Sequence, residues 1–336
     1  MARNRRSMAL RSAAMLLLTG LAAPAAAQDL KVWRHGIIEA KSDAGIFYMA
    51  SRRELAAKLG LRIEFVQLKA DTIALKALLA GELDSCEGGA GGSMTAASRG
   101  ADVKIVGCHW LAAPHGVYVR PRIAAMADLK GKAVAVSSPG SFPEIFARAA
   151  FERAGIPAGQ VRFAAMGSDT ERYKALMAGV VDGAIITNEY VPIAGQVDGQ
   201  AAIRDLMPAA DVMPDFIRVC IEMTGKTLKD RRPTAVRFMA AEIEALRFAM
   251  GHRDDTIRVA GEIAGLKPGD PRPGFVFDAA VRANSVATDL PLPLEKLDFM
   301  QKQLVSAGTL TRPGDLEKMI DKGLREEALA LLATGP

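Results

Sequence analysis

The sequence predicts an α/β fold of two doubly wound lobes, joined by a hinge, with a cleft between them. Three observations predict it: a unit that occurs twice, strand–helix alternation within each copy, and two apolar strands placed to carry the chain between the copies. A length of 336 residues is also too great for one ordinary core and suits two. Half the residues are hydrophobic and only 5% aromatic, a balance that fits an Ala-, Gly-, Val- and Leu-built α/β protein and excludes a disordered or fibrous chain.

At the N-terminus, Arg3, Arg5, Arg6 and Arg11 lead into an apolar run over residues 13–23, and Ala25 and Ala27 precede Gln28. Basic start, short apolar stretch and A-x-A site together make a signal peptide over residues 1–27, with periplasmic export as the expected outcome. The run is too short to span a bilayer. Ser-Met-Ala after Arg5-Arg6 departs from a twin-arginine signal, so the ordinary secretory route is expected. The whole chain holds 43 basic and 38 acidic residues, but residues 1–27 carry four of the arginines and no acid, leaving 39 against 38. The basic balance therefore belongs to the export signal, and a nucleic-acid partner loses its main support.

Residues 77–84 (ALLAGELD) recur as residues 175–182 (ALMAGVVD). Each copy reads as a helix ending at a glycine, Gly81 or Gly179, able to take the left-handed conformation, then an Asp and a new strand. Strands are predicted over 62–67 and 161–166, with helix starts at Asp71-Thr72 and at Ser168 or Asp169. Further upstream, a strand over 30–34 and a helix over 43–59 correspond to a strand over 133–136 and a helix over 143–154, which Pro143 opens. Residues 116–120 and 216–221 read as the hinge strands. They divide the chain into a discontinuous first lobe, 28–117 plus 220–336, and a second lobe, 118–219. After Thr227 the pattern is helical, over 233–250, 254–264, 278–286, 293–307 and 315–332, and these segments are expected to buttress the first lobe.

The cysteines Cys86, Cys108 and Cys220 match no zinc spacing, and an odd count excludes full pairing. Each lies in or beside an apolar run and reads as buried packing. One disulfide is compatible with an oxidising compartment, though the sequence does not place it.

Several segments in this order, ALLAGELDSCEGGAGGSMTAASRGADVKIVG (77–107), DLKGKAVAVSSPGS (128–141), ERAGIPAGQVRF (152–163) and ALMAGVVDGAIITNEY (175–190), resemble the solute-binding proteins of ABC importers in the nitrate/sulfonate/taurine (NMT1-like) family. The resemblance covers about residues 30–222. It implies a type II periplasmic binding protein fold that closes on its ligand by hinge bending, with a small-molecule solute and the transporter permease as partners. A monomer without cofactor or metal is the expectation.

The resemblance also places the ligand loops. Gly88, Gly89, Gly91 and Ser93 follow a strand and open a helix, where amides and absent side chains suit an anion. The alternative is a tight turn that touches no ligand. Ser137, Ser138, Gly140, Ser141 and Phe142 form the matching loop, whose hydroxyls and amides suit a carboxylate, sulfonate or nitrate; simple N-capping by Ser141 is the plainer role. Thr187, Asn188 and Tyr190 end the second repeat, and Tyr190 is placed to stack on a flat solute or close the mouth. His35, Gly36, Lys41 and Ser42 occupy the first loop of the family, and His109 lies near the hinge. A solvated Lys41 and a buried, hydrogen-bonded His109 are the alternatives there.

An enzyme would need catalytic groups. The four histidines, His35, His109, His115 and His252, form no zinc motif, and no G-x-S-x-G elbow is present. Pyrimidine-precursor synthases share the implied fold but carry a cysteine-rich motif that this chain lacks. The expectation is therefore a binder of a small anionic or aromatic organic solute, not an enzyme, with a periplasmic ligand sensor, and behind it a pyrimidine-precursor-synthase-like enzyme, as the alternatives.

Overall fold

A computed structural model describes residues 30–38, 40–52, 55–138, 141–197 and 200–335. The expected signal peptide and Gly140 lie outside them. The strands are β1 (Lys31–Ile38), β2 (Leu61–Leu68), β3 (Ser85–Gly88), β4 (Lys104–Trp110), β5 (His115–Val119), β6 (Ala133–Val136), β7 (Arg162–Ala165), β8 (Gly183–Thr187), β9 (Gln196–Val197), β10 (Gln200–Ala201), β11 (Arg204–Pro208) and β12 (Val219–Met223). Among them β9 and β10 form a small hairpin, and the other ten build two five-stranded sheets of order β2-β1-β3-β12-β4 and β11-β5-β8-β6-β7.

The repeat explains this layout. β1 runs parallel to β2 and β3, as β6 runs parallel to β7 and β8. Each triplet then receives an antiparallel strand: β12 beside β3, and β5 beside β8. The chain changes sheet between Trp110 and His115 and returns between Pro208 and Val219. The fold is thus the two-lobed, mixed α/β architecture that the repeat predicts.

Local chemistry sets the helix ends as expected. Gly81 and Gly179 have φ of 78° and 74°, and the following amides of Glu82 and Val180 return 3.0 Å bonds to Ala77 and Ala175. Ser168 and Glu171 form a reciprocal cap on the helix Asp169–Ala178. The predicted helix over 43–59 is instead three short ones, Ala44–Phe47, Met49–Arg52 and Leu55–Lys58. At the first break the Ser51 hydroxyl donates to the Tyr48 carbonyl at 3.0 Å, competing with the regular helical bond.

Trp33 of β1 stacks on Phe238 of the long helix Arg232–Gly251, with ring centroids 5.1 Å apart, at the centre of the first core. Another apolar cluster runs without interruption from Ile105 and Cys108 beside the first sheet to Val117 and Phe146 beside the second. The helix Arg272–Arg282 starts earlier than predicted because prolines flank its first turn. It also packs against the 3-10 turn Asn188–Ile193 that follows β8, so the C-terminal helices reach the second lobe as well as the first.

The reading of all three cysteines as plain packing is corrected. Cys108 and Cys220 face one another on β4 and β12 and form a disulfide, while Cys86 is free and buried. Sequence alone supplies no register for a pair 112 residues apart. Among the described residues no helix is long and apolar enough to cross a membrane.

Candidate functional site

Strand-end loops of both sheets meet at a narrow slot lined by Lys41, Asp43, Thr187, Asn188, Glu189 and Arg218, with Pro114 and Val276 at its margins. Its free volume is about 10 Å³, roughly the space of a single water. The lobes are therefore closed against each other. A larger concavity of about 550 Å³ lies between Tyr48, Phe65 and Ile263 beside edge strand β2, and none of the expected ligand loops lines it.

Lys41 follows β1 and forms an ion pair with Asp169, the first residue of a helix on the second sheet. Asp169 is buried and also binds Arg172, whose Nε donates to the Ile185 carbonyl at 2.6 Å and whose Nη1 donates to Gly167. Burial would raise the Asp169 carboxyl, but the charges of Lys41 and Arg172 outweigh it and hold the group far below the usual range. Burial likewise opposes the charge on Lys41, and Asp169 and Glu189 more than restore it. Beside this pair Ser42 is hydrogen-bonded to Glu189, a second link between the lobes.

Arg218 precedes β12 and pairs with Asp43. Its guanidinium lies 4.3 Å over the Trp110 ring, which leaves Nη1 buried without a hydrogen-bond partner. Thr187, also lining the slot, is 5% exposed and its hydroxyl is likewise unpartnered. His115 opens β5 beside Phe142, at 5.0 Å, and burial pushes its pKa down to about 3, so it is neutral. Phe142 in turn lies 3.8 Å from Phe216.

Other expected site residues are not brought to the slot. Gly36 faces a smaller apolar cluster that holds Leu83 and Cys86, where an added Cβ would meet Leu83 at 2.5 Å. Gly91 faces the helix Leu294–Ser306, with Leu304 3.5 Å from such a Cβ. Ser93 turns inward, donating to Ala90 at 3.0 Å and supporting Glu222. Gly88 and Gly89 lie beside Asp71, whose carboxylate accepts from the Gly89 amide at 3.3 Å. The anion at this glycine-rich helix start is thus one of the protein's own carboxylates.

In the matching loop, the Ser141 hydroxyl donates to the Ser138 carbonyl at 2.6 Å, and Ser141 does not side-chain cap its helix. Ser137 accepts from the Gly167 amide at 3.0 Å. Tyr190 is corrected from a mouth residue to a core one: it is 3% exposed, stacks on Tyr173 at 4.5 Å and bonds Thr170 at 3.0 Å.

His35 and His109 lie beneath the slot in a buried network. His109 Nε2 is 3.0 Å from Glu87, and His35 Nδ1 is 2.7 Å from Ser85, which also receives Trp33 Nε1 at 2.8 Å. Burial would raise the Glu87 carboxyl, but the charge and hydrogen bond of His109, with His35 behind it, hold it at about 2. Among the described residues no group of three His, Cys, Asp or Glu is arranged to hold a metal ion.

His115, Asp169, Arg172 and Arg218 are the site residues that the sequence reading missed, while Asp43 and Glu189 lay within its loops. Arg218 left the clearest signal, a lone charge within the apolar run of residues 216–221.

Glu222 on β12 gives a prediction of its own. Burial pushes its pKa up to about 7 from 4.5, against hydrogen bonds from Ser93 and Cys86. The unfolded chain ionises this group first, so its contribution to stability is fully present below pH 4.5 and is lost as the pH rises to about 7. The expected loss is about 3 kcal/mol, read as urea midpoints across that range. E222Q is expected to remove this share of the slope, leaving that of other raised carboxyls such as Asp205 and Glu242; an unchanged slope would assign the titration elsewhere.

The chain is similar in fold to several solved proteins. The aliphatic sulphonate binding protein SsuA of Escherichia coli is 18% identical, with a TM-score of 0.70 over 88% of this chain and 99% of that one. A ligand-binding component of an ABC-type import system from Staphylococcus aureus, solved with zinc bound, is 14% identical with a TM-score of 0.71 over 89% and 99%. The desulfurization enzyme DSZB shares the fold too, at 15% identity and a TM-score of 0.64 over 89% and 99%. No curated protein matches the sequence. The model of the family described as NMT1/THI5 like matches residues 41–256. This chain belongs to the NMT1/THI5-like family.

Proposed function

We propose that the protein is the periplasmic solute-binding component of an ABC importer, exported by residues 1–27, and that it delivers a small organic solute to a permease. The lobes are assigned as 28–117 with 220–336, and 118–219. The observation that carries this reading is the pair of buried, unpartnered groups on residues that line the slot, Arg218 Nη1 and Thr187 Oγ1. They are the hydrogen-bonding groups that an acidic solute would satisfy on opening and reclosure.

In this reading Lys41, Ser42, Thr187 and Asn188 contact the solute, and Phe142, beside His115 and Phe216, offers an apolar wall. His35 and His109 support the floor. The neighbouring transport proteins favour binding over chemistry, and the enzyme among the neighbours makes catalysis the outcome to test against.

A thermal-shift screen of small organic acids tests the reading. A solute at a hundred times its dissociation constant should add about 2.7 kcal/mol of stability and be recovered chemically unaltered. R218Q should weaken that solute about tenfold or more, because a charge-assisted hydrogen bond is lost. A solute returned altered would make the protein an enzyme, and unchanged affinity in R218Q would move the site.

A further inference from the structure

Resting on that reading, we infer that the solute carries an ammonium group as well as an acid, the ammonium meeting Asp169 and Glu189 and the acid meeting Arg218 and Thr187. The charges around the slot lead there. Three carboxylates stand at it, Asp43, Asp169 and Glu189, with three cations, Lys41, Arg172 and Arg218. His115 adds no charge, since burial keeps it neutral. Arg272, near Glu189, is committed to Asp270 through bonds of 2.9 and 2.7 Å.

The cations are already engaged. Arg172 is tied to Asp169, and Arg218 to Asp43. Lys41 spans to Asp169, so closure in this form uses a protein ammonium to neutralise the second lobe's acids. Glu189 is 5% exposed, has no ion pair of its own, and is held by hydrogen bonding to Ser42 and Tyr190. Burial raises its pKa.

A simple organic anion would bring a negative charge beside Glu189, a buried carboxyl that pairs with no cation among the described residues, with little water to screen it. An ammonium on the same molecule removes that cost by taking the place Lys41 holds beside Asp169. The acid end is still required, because the Thr187 hydroxyl and Arg218 Nη1 are buried, belong to residues that line the slot and are otherwise unpartnered. Together these groups select a dipolar solute.

The test uses the exported chain and matched triplets: para-aminomethylbenzoate with para-toluate and para-methylbenzylamine, and γ-aminobutyrate with butyrate and butylamine, within a wider panel sorted the same way. The expected result is that the tightest binders by thermal shift and calorimetry are zwitterions, at least tenfold tighter than their deamino partners. E189Q should shrink that preference, weakening the zwitterion and, by removing a negative charge from the slot, tightening its deamino partner. Deamino acids that bind as well as or better than their zwitterions would overturn the inference and leave the solute-binding reading standing. If no member of any charge class binds, the solute-binding reading itself fails, and the inference falls with it.

Discussion

D169A is expected to destabilise the protein by about 3–5 kcal/mol, because it leaves the buried Arg172 guanidinium without its carboxylate. Arg172 would keep only carbonyl partners, at Ile185 and Gly167. Lys41 would lose its partner at the same moment, and with it the ion pair between the lobes. K41M alone should cost far less, since Asp169 retains Arg172. A double variant that removes both Asp169 and Arg172 should be less damaged than the sum of the singles, because no buried charge is then stranded. Urea midpoints of the unaltered chain, D169A, R172A, K41M and the double variant measure this. A shift in D169A no larger than that of K41M would mean that Asp169 and Arg172 are solvated, with the slot open in solution.

Loss of the Cys108–Cys220 disulfide is expected to cost about 4.7 kcal/mol if chain entropy governs it, since that bond closes a loop of more than a hundred residues. The link joins the strand that leaves the first sheet to the strand that returns to it, so the whole second sheet lies inside the closed loop. The comparison is between the oxidised chain and a Cys108→Ala, Cys220→Ala variant, each in urea. Cys86→Ala is the control for free-thiol effects, because Cys86 is buried beside Glu222 and outside the bond. Equal midpoints with and without the bond would show that these cysteines do not pair in solution.

Much of the fold was legible because its determinants are local. Gly81 and Gly179 end their helices by conformation, Ser168 begins one by capping, and the apolar run at residues 133–136 is a buried strand over the same residues. The repeated Asp residues read as structural. Asp84 accepts from the Arg34 amide at 2.8 Å, and Asp182 pairs with Arg122 at the same distance. β11 escaped the reading because it is a half-exposed edge strand ending in proline, with no clear alternation.

The site was less legible, because its key pairings are distant in sequence. Lys41 with Asp169 and Asp43 with Arg218 leave no periodicity to read. Glycine patterns likewise do not tell which way a residue faces. Gly36 and Gly91 lie in ligand-loop segments yet turn toward packed side chains.

The Asp71 carboxylate on the Gly89 amide gives that glycine turn a consequence of its own. A berth shaped for a negative visitor already has a permanent resident, so whatever docks beside it must either dislodge that resident or suit its company. Discrimination here begins with what the chain has seated before any guest arrives.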